Sequence, residues 1–275
     1  DPAFTQLILI NNGEQGTQIC VGDNLLKIKS VELLIRSNRM IKVIRGVSAR
    51  ELYLSSRVLS KYIRETITSG EASIWIAQRQ GRTKDGIDTC EQGLLKMLDM
   101  SGGEDFVKNF MELHMVPLSV SYEFEPCDIL KAREKLISRS QKYVKGEMED
   151  MISIMTGIKQ RKGNVHLNIG DAITQEEITE ASRCDKNDRY QFIRHIMDRR
   201  IIQGYKLWKT NYIAYDMVNA TTKYADHYTP EDKDVFEAYI AAQLPKVEPT
   251  LDKEALKDIL LHIYSNPVLS NEQVD

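Results

Sequence analysis

Four apolar residues, Ile74-Trp75-Ile76-Ala77, run directly into a turn reading Gln78-Arg-Gln-Gly-Arg-Thr-Lys-Asp-Gly86. An apolar run this short, closed by glycines, has the length of a buried strand, and strands of this kind deliver loops to the rim of a sheet. Two further blocks have the same character. Met40-Ile-Lys-Val-Ile-Arg45-Gly46 is a short apolar run ending in arginine and glycine, and His114-Met-Val-Pro117-Leu-Ser-Val-Ser-Tyr122-Glu123 is a strand opened at a proline. Amphipathic stretches separate them. Ser48 with Glu51 forms a capping box for a long helix, with Leu52, Val58, Leu59, Ile63 and Ile67 near helical spacing and Ser69-Gly70 as its stop. Strands alternating with helices predict an α/β fold, a mostly parallel sheet flanked by helices.

The remaining elements are read the same way. Residues 2–10 start as a helix with Asp1 as cap and Pro2 in the first turn, and Gln18–Val21 is a short strand. Helices are expected at 25–37, 90–98 and 129–155, with a strand at Val43-Ile44, another over 73–77 and a closing one within 163–173. Beyond 173 no strand pattern is visible. Residues 175–265 read as about four helices, with caps at Thr174 and Asn187 and openings at Pro230 and Pro249, and 270–275 as a frayed end. The expected division is an α/β domain over 1–175 and a helical region over 176–275.

The net charge of -3 argues against an obligatory nucleic-acid partner. The charge is unevenly placed. From Lys27 to Lys84 there are 13 Lys or Arg against 4 Asp or Glu, an excess suited to a phosphorylated substrate or anionic headgroups, or to a solvated helix face. Cys20, Cys90, Cys127 and Cys184 are scattered without CxxC or metal-ligand spacing, as expected of reduced thiols in the cytoplasm, and no metal is implied.

In the turn after Ala77, Arg82 suits a phosphate best, because its planar guanidinium can grip two oxygens at once. Lys84 adds a point charge, Thr83 a hydroxyl, Gly81 a backbone free to approach a ligand, and Gln80 a holding hydrogen bond. Arg45 closes the upstream strand. The structural alternatives are an Arg82–Asp85 pair, a solvated Lys84 and an Arg45–Glu71 salt bridge.

The three blocks, in this order and spacing, resemble those of the glycerolipid acyltransferases, the glycerol-3-phosphate and lysophosphatidate acyltransferase superfamily. Arg45 falls on that family's arginine block, Gln80, Gly81 and Arg82 on its Glu-Gly-x-Arg block, and Pro117 on its proline block. The resemblance covers about residues 1–175. It implies an O-acyltransferase of phospholipid biosynthesis. Acyl-CoA or acyl carrier protein would be co-substrate, a glycerol phosphate or lysolipid the acceptor, and no cofactor would be needed. It also implies a cytoplasmic location with peripheral contact at the inner face of the cell membrane. Substrate binding would fall to Arg45, Gln80, Gly81, Arg82, Thr83 and Lys84.

Two departures stand out. Gln80 replaces the family's glutamate, keeping its shape but losing its charge. No histidine is followed five residues later by aspartate, so the family's His-x4-Asp block is incomplete. The chain opens at Asp1-Pro-Ala-Phe, and the expectation is a piece cut within that block, with Asp1 as its catalytic aspartate, the histidine upstream and the 275 residues inactive alone. A catalytically degenerate domain binding lipid or a protein partner is the competing reading, favoured by Gln80. None of the histidines, His114, His166, His195, His227 and His262, has an acid at the family's spacing; Asp198 lies three residues after His195 on the same helix face, and a surface pair explains it. Tyrosines and Trp208 in the helical tail fit core packing better than a membrane-surface helix.

Overall fold

The computed structural model describes residues 2–26, 32–33, 37–79 and 83–274. They form two compact units interleaved in sequence. The first gathers Asp1–Gly81, Thr89–Leu118 and Ile169–Arg200, the second Arg82–Asp88, Ser119–Asn168 and Ile201–Asp275.

The first unit is the α/β part. Helix α1 (Pro2–Asn11) leads to strand β1 (Gln18–Gly22), followed by β2 (Met40–Val43), helix α2 (Ala49–Thr68) and β3 (Ile74–Trp75). The sheet order is β2-β1-β3, and both neighbours run parallel to β1 in registers that pair Gly22 with Val43 and Ile19 with Trp75. Crossovers between parallel strands require helices, and α2 supplies one. Its start is the capping box read from sequence, with Ser48 Oγ accepting from the Glu51 amide and Glu51 reaching back to the Ser48 amide. Gly70, at φ +72°, follows its end. Leu59, Ile63 and Ile67 pack with Cys20, Leu98 and Leu113 into a small core, whereas Leu52 and Val58 face solvent, because they lie on another face of the same helix.

That core has a polar bolt. Arg64 is buried in α2, and its guanidinium donates to the Leu98 carbonyl at 3.0 Å, the Asn109 carbonyl at 2.7 Å and Ser101 Oγ at 3.0 Å, and meets Glu112 at 3.1 Å. It thereby ties α2 to α3 (Gln92–Asp99) and to a short helix α4 (Phe106–Met111) that sequence reading missed. A planar fork of five donors can satisfy that many acceptors in one buried place, which a lysine cannot.

The second unit is built on helices. Strands β4 (Leu118–Tyr122) and β5 (Val165–Ile169) pair, and the bonds from Glu123 N to Asn164 O and Phe124 N to Lys162 O give the pair its antiparallel sense. The expected helix over 129–155 is two helices, α5 (Asp128–Ser140) and α6 (Glu149–Lys159), parted at Gly146 and its neighbours. Helices α7 (Gln175–Ser182) and α8 (Asp188–Gln203) follow β5 in sequence, with Thr174 capping α7 as read, and belong to the first unit as far as Arg200; α9 (Lys209–Asn219), α10 (Pro230–Gln243) and α11 (Lys253–Val274) complete the helices of the second. Pro230 opens α10 as expected, but Asp252, not Pro249, caps α11, accepting from the amides of Glu254 and Ala255. Nor is the end frayed: α11 runs through Pro267 to Val274, with Val268 and Ser270 buried. Phe124, Ile129, Ile213, Phe236, Leu256 and Leu260 are among its core residues.

The strand expected over 73–77 is shorter, Ile74–Trp75 alone, and the expected helix over 25–37 falls largely on 27–31 and 34–36, outside the described residues. Before them, Asp23–Leu26 is a single tight 3-10 turn.

Candidate functional site at the strand ends

Parallel pairing brings the carboxyl ends of β1, β2 and β3 to one edge of the first unit's sheet, the edge where α/β sheets take ligands. Gly22-Asp23-Asn24 follows β1, Ile44-Arg45-Gly46 follows β2, and Ile76-Ala77-Gln78-Arg79 follows β3. The Arg45 amide donates to Asp23 Oδ1 at 3.2 Å, which ties the two turns together. A Cβ placed on Gly22 would stand 2.5 Å from Asn24 Oδ1 and 3.1 Å from Arg45 Nε. The guanidinium of Arg45 therefore lies directly against the Gly22 backbone, an approach only glycine allows. Gly46, at φ +67°, takes the left-handed conformation that turns the chain away just beyond it.

Asn24 Oδ1 is buried at this edge, and Arg79 Nε is buried four residues beyond the end of β3. The residues brought together at the strand ends are Gly22, Asp23, Asn24 and Arg45. Asp23 and Asn24 escaped sequence reading, although Gly-Asp-Asn directly after an apolar run marks a tight turn at a strand end.

The predicted site residues fall as follows. Arg45 belongs to this edge. Asp1, Gln80, Gly81 and Arg82 lie outside the described residues. Thr83 and Lys84 belong to the second unit, in a loop held by its own helices. Thr83 Oγ1 donates to the Ile87 carbonyl, and Lys84 is ion-paired with Glu134 on α5. The next residue pair repeats the pattern with charges exchanged, Asp85 meeting Lys135 at 2.7 Å. Burial pushes the Asp85 carboxyl up, but the Lys135 ammonium and the Ile87 amide outweigh it and hold it below its ordinary value. Asn266 donates to the Asp85 carbonyl at 2.8 Å. A Cβ on Gly86 would stand 2.3 Å from the Ile263 carbonyl oxygen, and that carbonyl lies four residues before Pro267, which has no N–H to offer it. The proline in α11 and the glycine of the loop are two halves of one contact.

The histidines lie in separate local settings. His114 is exposed at φ +44°, and His227 stacks on Tyr212 with ring centres 4.1 Å apart. His262 Nδ1 lies 2.8 Å from the Asp258 carbonyl and 3.3 Å from its carboxylate one turn earlier, an exposed pair within one helix. Asp198 does not serve His195; it accepts from the Cys90 amide at 2.6 Å and meets Arg194 at 3.5 Å. Of the aromatic residues read in the helical tail, Tyr190 is buried, while Phe192, Tyr205, Trp208, Tyr212, Tyr215, Tyr224 and Tyr228 are half-buried. Asp128, buried, accepts from the hydroxyls of Tyr239 and Tyr264, each at 2.7 Å, while Tyr264 Oη accepts from the Glu125 amide at 3.0 Å. Burial raises the Asp128 carboxyl above its ordinary value against these bonds, and raises both phenols.

Among the described residues no group of three His, Cys, Asp or Glu side chains is placed to hold a metal, and no helix is long and apolar enough to cross a membrane. No protein-family model matches the chain, and no curated protein matches it.

Proposed function

We propose that the chain is the acyl-transfer region of a glycerolipid acyltransferase, moving a fatty acyl group from acyl-CoA or acyl carrier protein to the hydroxyl of a glycerol phosphate or lysolipid in phospholipid biosynthesis. The observation that carries the reading is Arg45, the family-block arginine, standing at the carboxyl end of a parallel strand beside Asp23 and Gly22. A guanidinium there suits a phosphate at the ligand edge of the sheet. Arg82 is the second residue the resemblance gives to that phosphate.

In this mechanism the family's histidine, oriented by its aspartate, takes the proton of the acceptor hydroxyl. The oxygen attacks the thioester carbonyl carbon, the carbon–sulfur bond breaks, and the proton passes to the leaving thiolate. Base catalysis of this kind contributes about 10²–10⁴-fold. Binding the acceptor by its phosphate converts an encounter into an oriented reaction. The reaction belongs at the cytoplasmic face of the cell membrane, where both substrates are found.

The test is acceptor-dependent release of free thiol from acyl-CoA. A chain carrying the family's complete His-x4-Asp block should turn over, and replacement of that histidine by alanine should abolish turnover while leaving acceptor binding in place. Turnover by the 275 residues alone through one of His114, His166, His195, His227 or His262 would overturn the site. Binding without turnover even in the extended chain would favour the degenerate lipid-binding reading that Gln80 suggests.

A further inference from the structure

The loop Thr83–Asp88 is held more closely than a connecting loop needs. Connecting loops normally run over the surface with few fixed contacts. Here all the residues but Ile87 are half-buried, and the anchors belong to the same compact unit as the loop. Lys84 is paired with Glu134 and Asp85 with Lys135, both partners on α5. Asn266 on α11 donates to the Asp85 carbonyl at 2.8 Å, and the Tyr205 hydroxyl donates to the Asp88 carboxylate at 2.6 Å. Within the loop, Thr83 Oγ1 donates to the Ile87 carbonyl, and the Ile87 amide donates to Asp85 Oδ1 at 3.3 Å.

The closest approach is made by α11. Pro267 has no N–H to offer the Ile263 carbonyl four residues earlier, and that carbonyl lies against Gly86, leaving no room for a Cβ. Gly86 also takes the left-handed conformation, at φ +75°. Proline destabilises a helix interior, and here it sits in the turn that meets the loop. Arg82 is the residue immediately before this loop in the sequence. A guanidinium that must meet a phosphate in one orientation gains from a fixed attachment, because ordering the chain on binding would offset part of the bond. The residues of α11 and Tyr205 lie beyond residue 175, outside the stretch that resembles the acyltransferases, and acyl transfer as proposed gives them no task.

We infer that the grip of α5, α11 and Tyr205 on this loop positions Arg82 for the acceptor's phosphate, which makes Gly86, Asn266 and Tyr205 positioning residues of the acceptor site. What Arg82 binds rests on the acyltransferase reading; the grip on the loop does not. The helical region thereby takes part in acceptor binding without touching the acceptor.

The experiment is titration calorimetry with glycerol 3-phosphate on the parent chain, Arg82→Ala, Gly86→Ala and the double variant, each checked for folding by urea unfolding. Gly86→Ala should weaken binding about fivefold or more in the parent, and less than about twofold once Arg82 is alanine, because nothing is then left to position. A glycine that served only the fold would leave the affinity of the folded chain unchanged in both backgrounds. If Gly86→Ala does not fold, the Asn266→Ala, Tyr205→Phe variant replaces it. That variant removes two holds and adds no atom, and should weaken binding about threefold or more, again only where Arg82 is present. Unchanged affinity in the loop variant while Arg82→Ala binds weakly, or an equal loss with and without Arg82, would overturn the inference and leave the acyltransferase reading standing. Unchanged affinity in Arg82→Ala itself would overturn both.

Discussion

The two compact units treat two groups of cations differently. In the first, Arg45 stands at a strand end among turn residues, and the deeply buried Arg64 is spent on backbone carbonyls and Glu112. In the second, Lys84 and Lys135 face carboxylates exchanged between the loop and α5, Lys84 with Glu134 and Lys135 with Asp85. The cation-dense segment after Ala77 runs from one regime into the other. Cation density alone therefore does not identify a phosphate site. What separates a ligand-ready arginine from a structural lysine is whether a following helix brings an acid to it, as α5 brings Glu134 to Lys84.

The largest expected effect is in the first unit. Arg64→Met should cost about 3–5 kcal/mol in urea unfolding, because it strands the Leu98 and Asn109 carbonyls and Glu112. Arg64→Lys should recover less than half of it, since one ammonium cannot reach acceptors on both sides. A loss under about 1 kcal/mol would mean that water replaces the guanidinium and that the unit has no polar bolt.

In the second unit, Asp128→Ala should cost about 2–4 kcal/mol by orphaning the hydroxyls of Tyr239 and Tyr264. The same residue predicts a pH signature. A carboxyl whose folded pKa is raised binds more protons folded than unfolded, so its contribution is full below the ordinary carboxylate range and is lost as pH rises through the raised value. The stability of the parent chain relative to Asp128→Asn should therefore decline as pH rises from about 3.5 towards neutrality. Glu248 carries the opposite sign. Its hydrogen bonds from Arg133 lower it to about 2, so what it contributes is present above the ordinary glutamate range and fades as pH falls towards that value. A relative stability for Asp128→Asn that does not change with pH would mean Asp128 is charged at no cost.

How much of this was legible beforehand differs between the units as well. The parallel strands, α2 with its capping box, and the end of that helix at Ser69-Gly70 all follow from short-range chemistry, and they were readable. The break between α5 and α6 was not, because alternating charge and apolar residues continue through Gly146 without a proline to stop them. The helical end at Ser265–Val274 was misread for the converse reason. Pro267 and a polar tail look like a terminus locally, yet tertiary contacts to Asp85 and Gly86 hold that turn in place. At the site, Arg45 was found through its block, but Asp23 and Asn24 were missed, since their role comes from a neighbouring parallel strand twenty residues on. Arg64 was invisible for the same reason: a lone arginine in a helix reads as a solvated face.

A smaller change sharpens the comparison at the sheet edge. Gly22→Ala should cost less than about 1.5 kcal/mol in stability, because its Cβ meets the flexible ends of Asn24 and Arg45. It should still weaken acceptor binding, since the guanidinium must move aside to make room. Lys84→Met should do the reverse, lowering stability slightly through the unpaired Glu134 while leaving acceptor affinity within about twofold.

The central claim is that an arginine at the strand ends holds the phosphate of the acceptor. Titration calorimetry of the 275-residue chain with glycerol 3-phosphate and with lysophosphatidate, repeated on Arg45→Ala and on Arg82→Ala, tests it most directly. Loss of a charge-assisted bond should weaken each ligand by roughly 1.5–3 kcal/mol, about 10- to 150-fold, while glycerol without phosphate shows no dependence on either arginine. Equal affinity of the parent chain and both variants for the phosphorylated ligands would contradict the account.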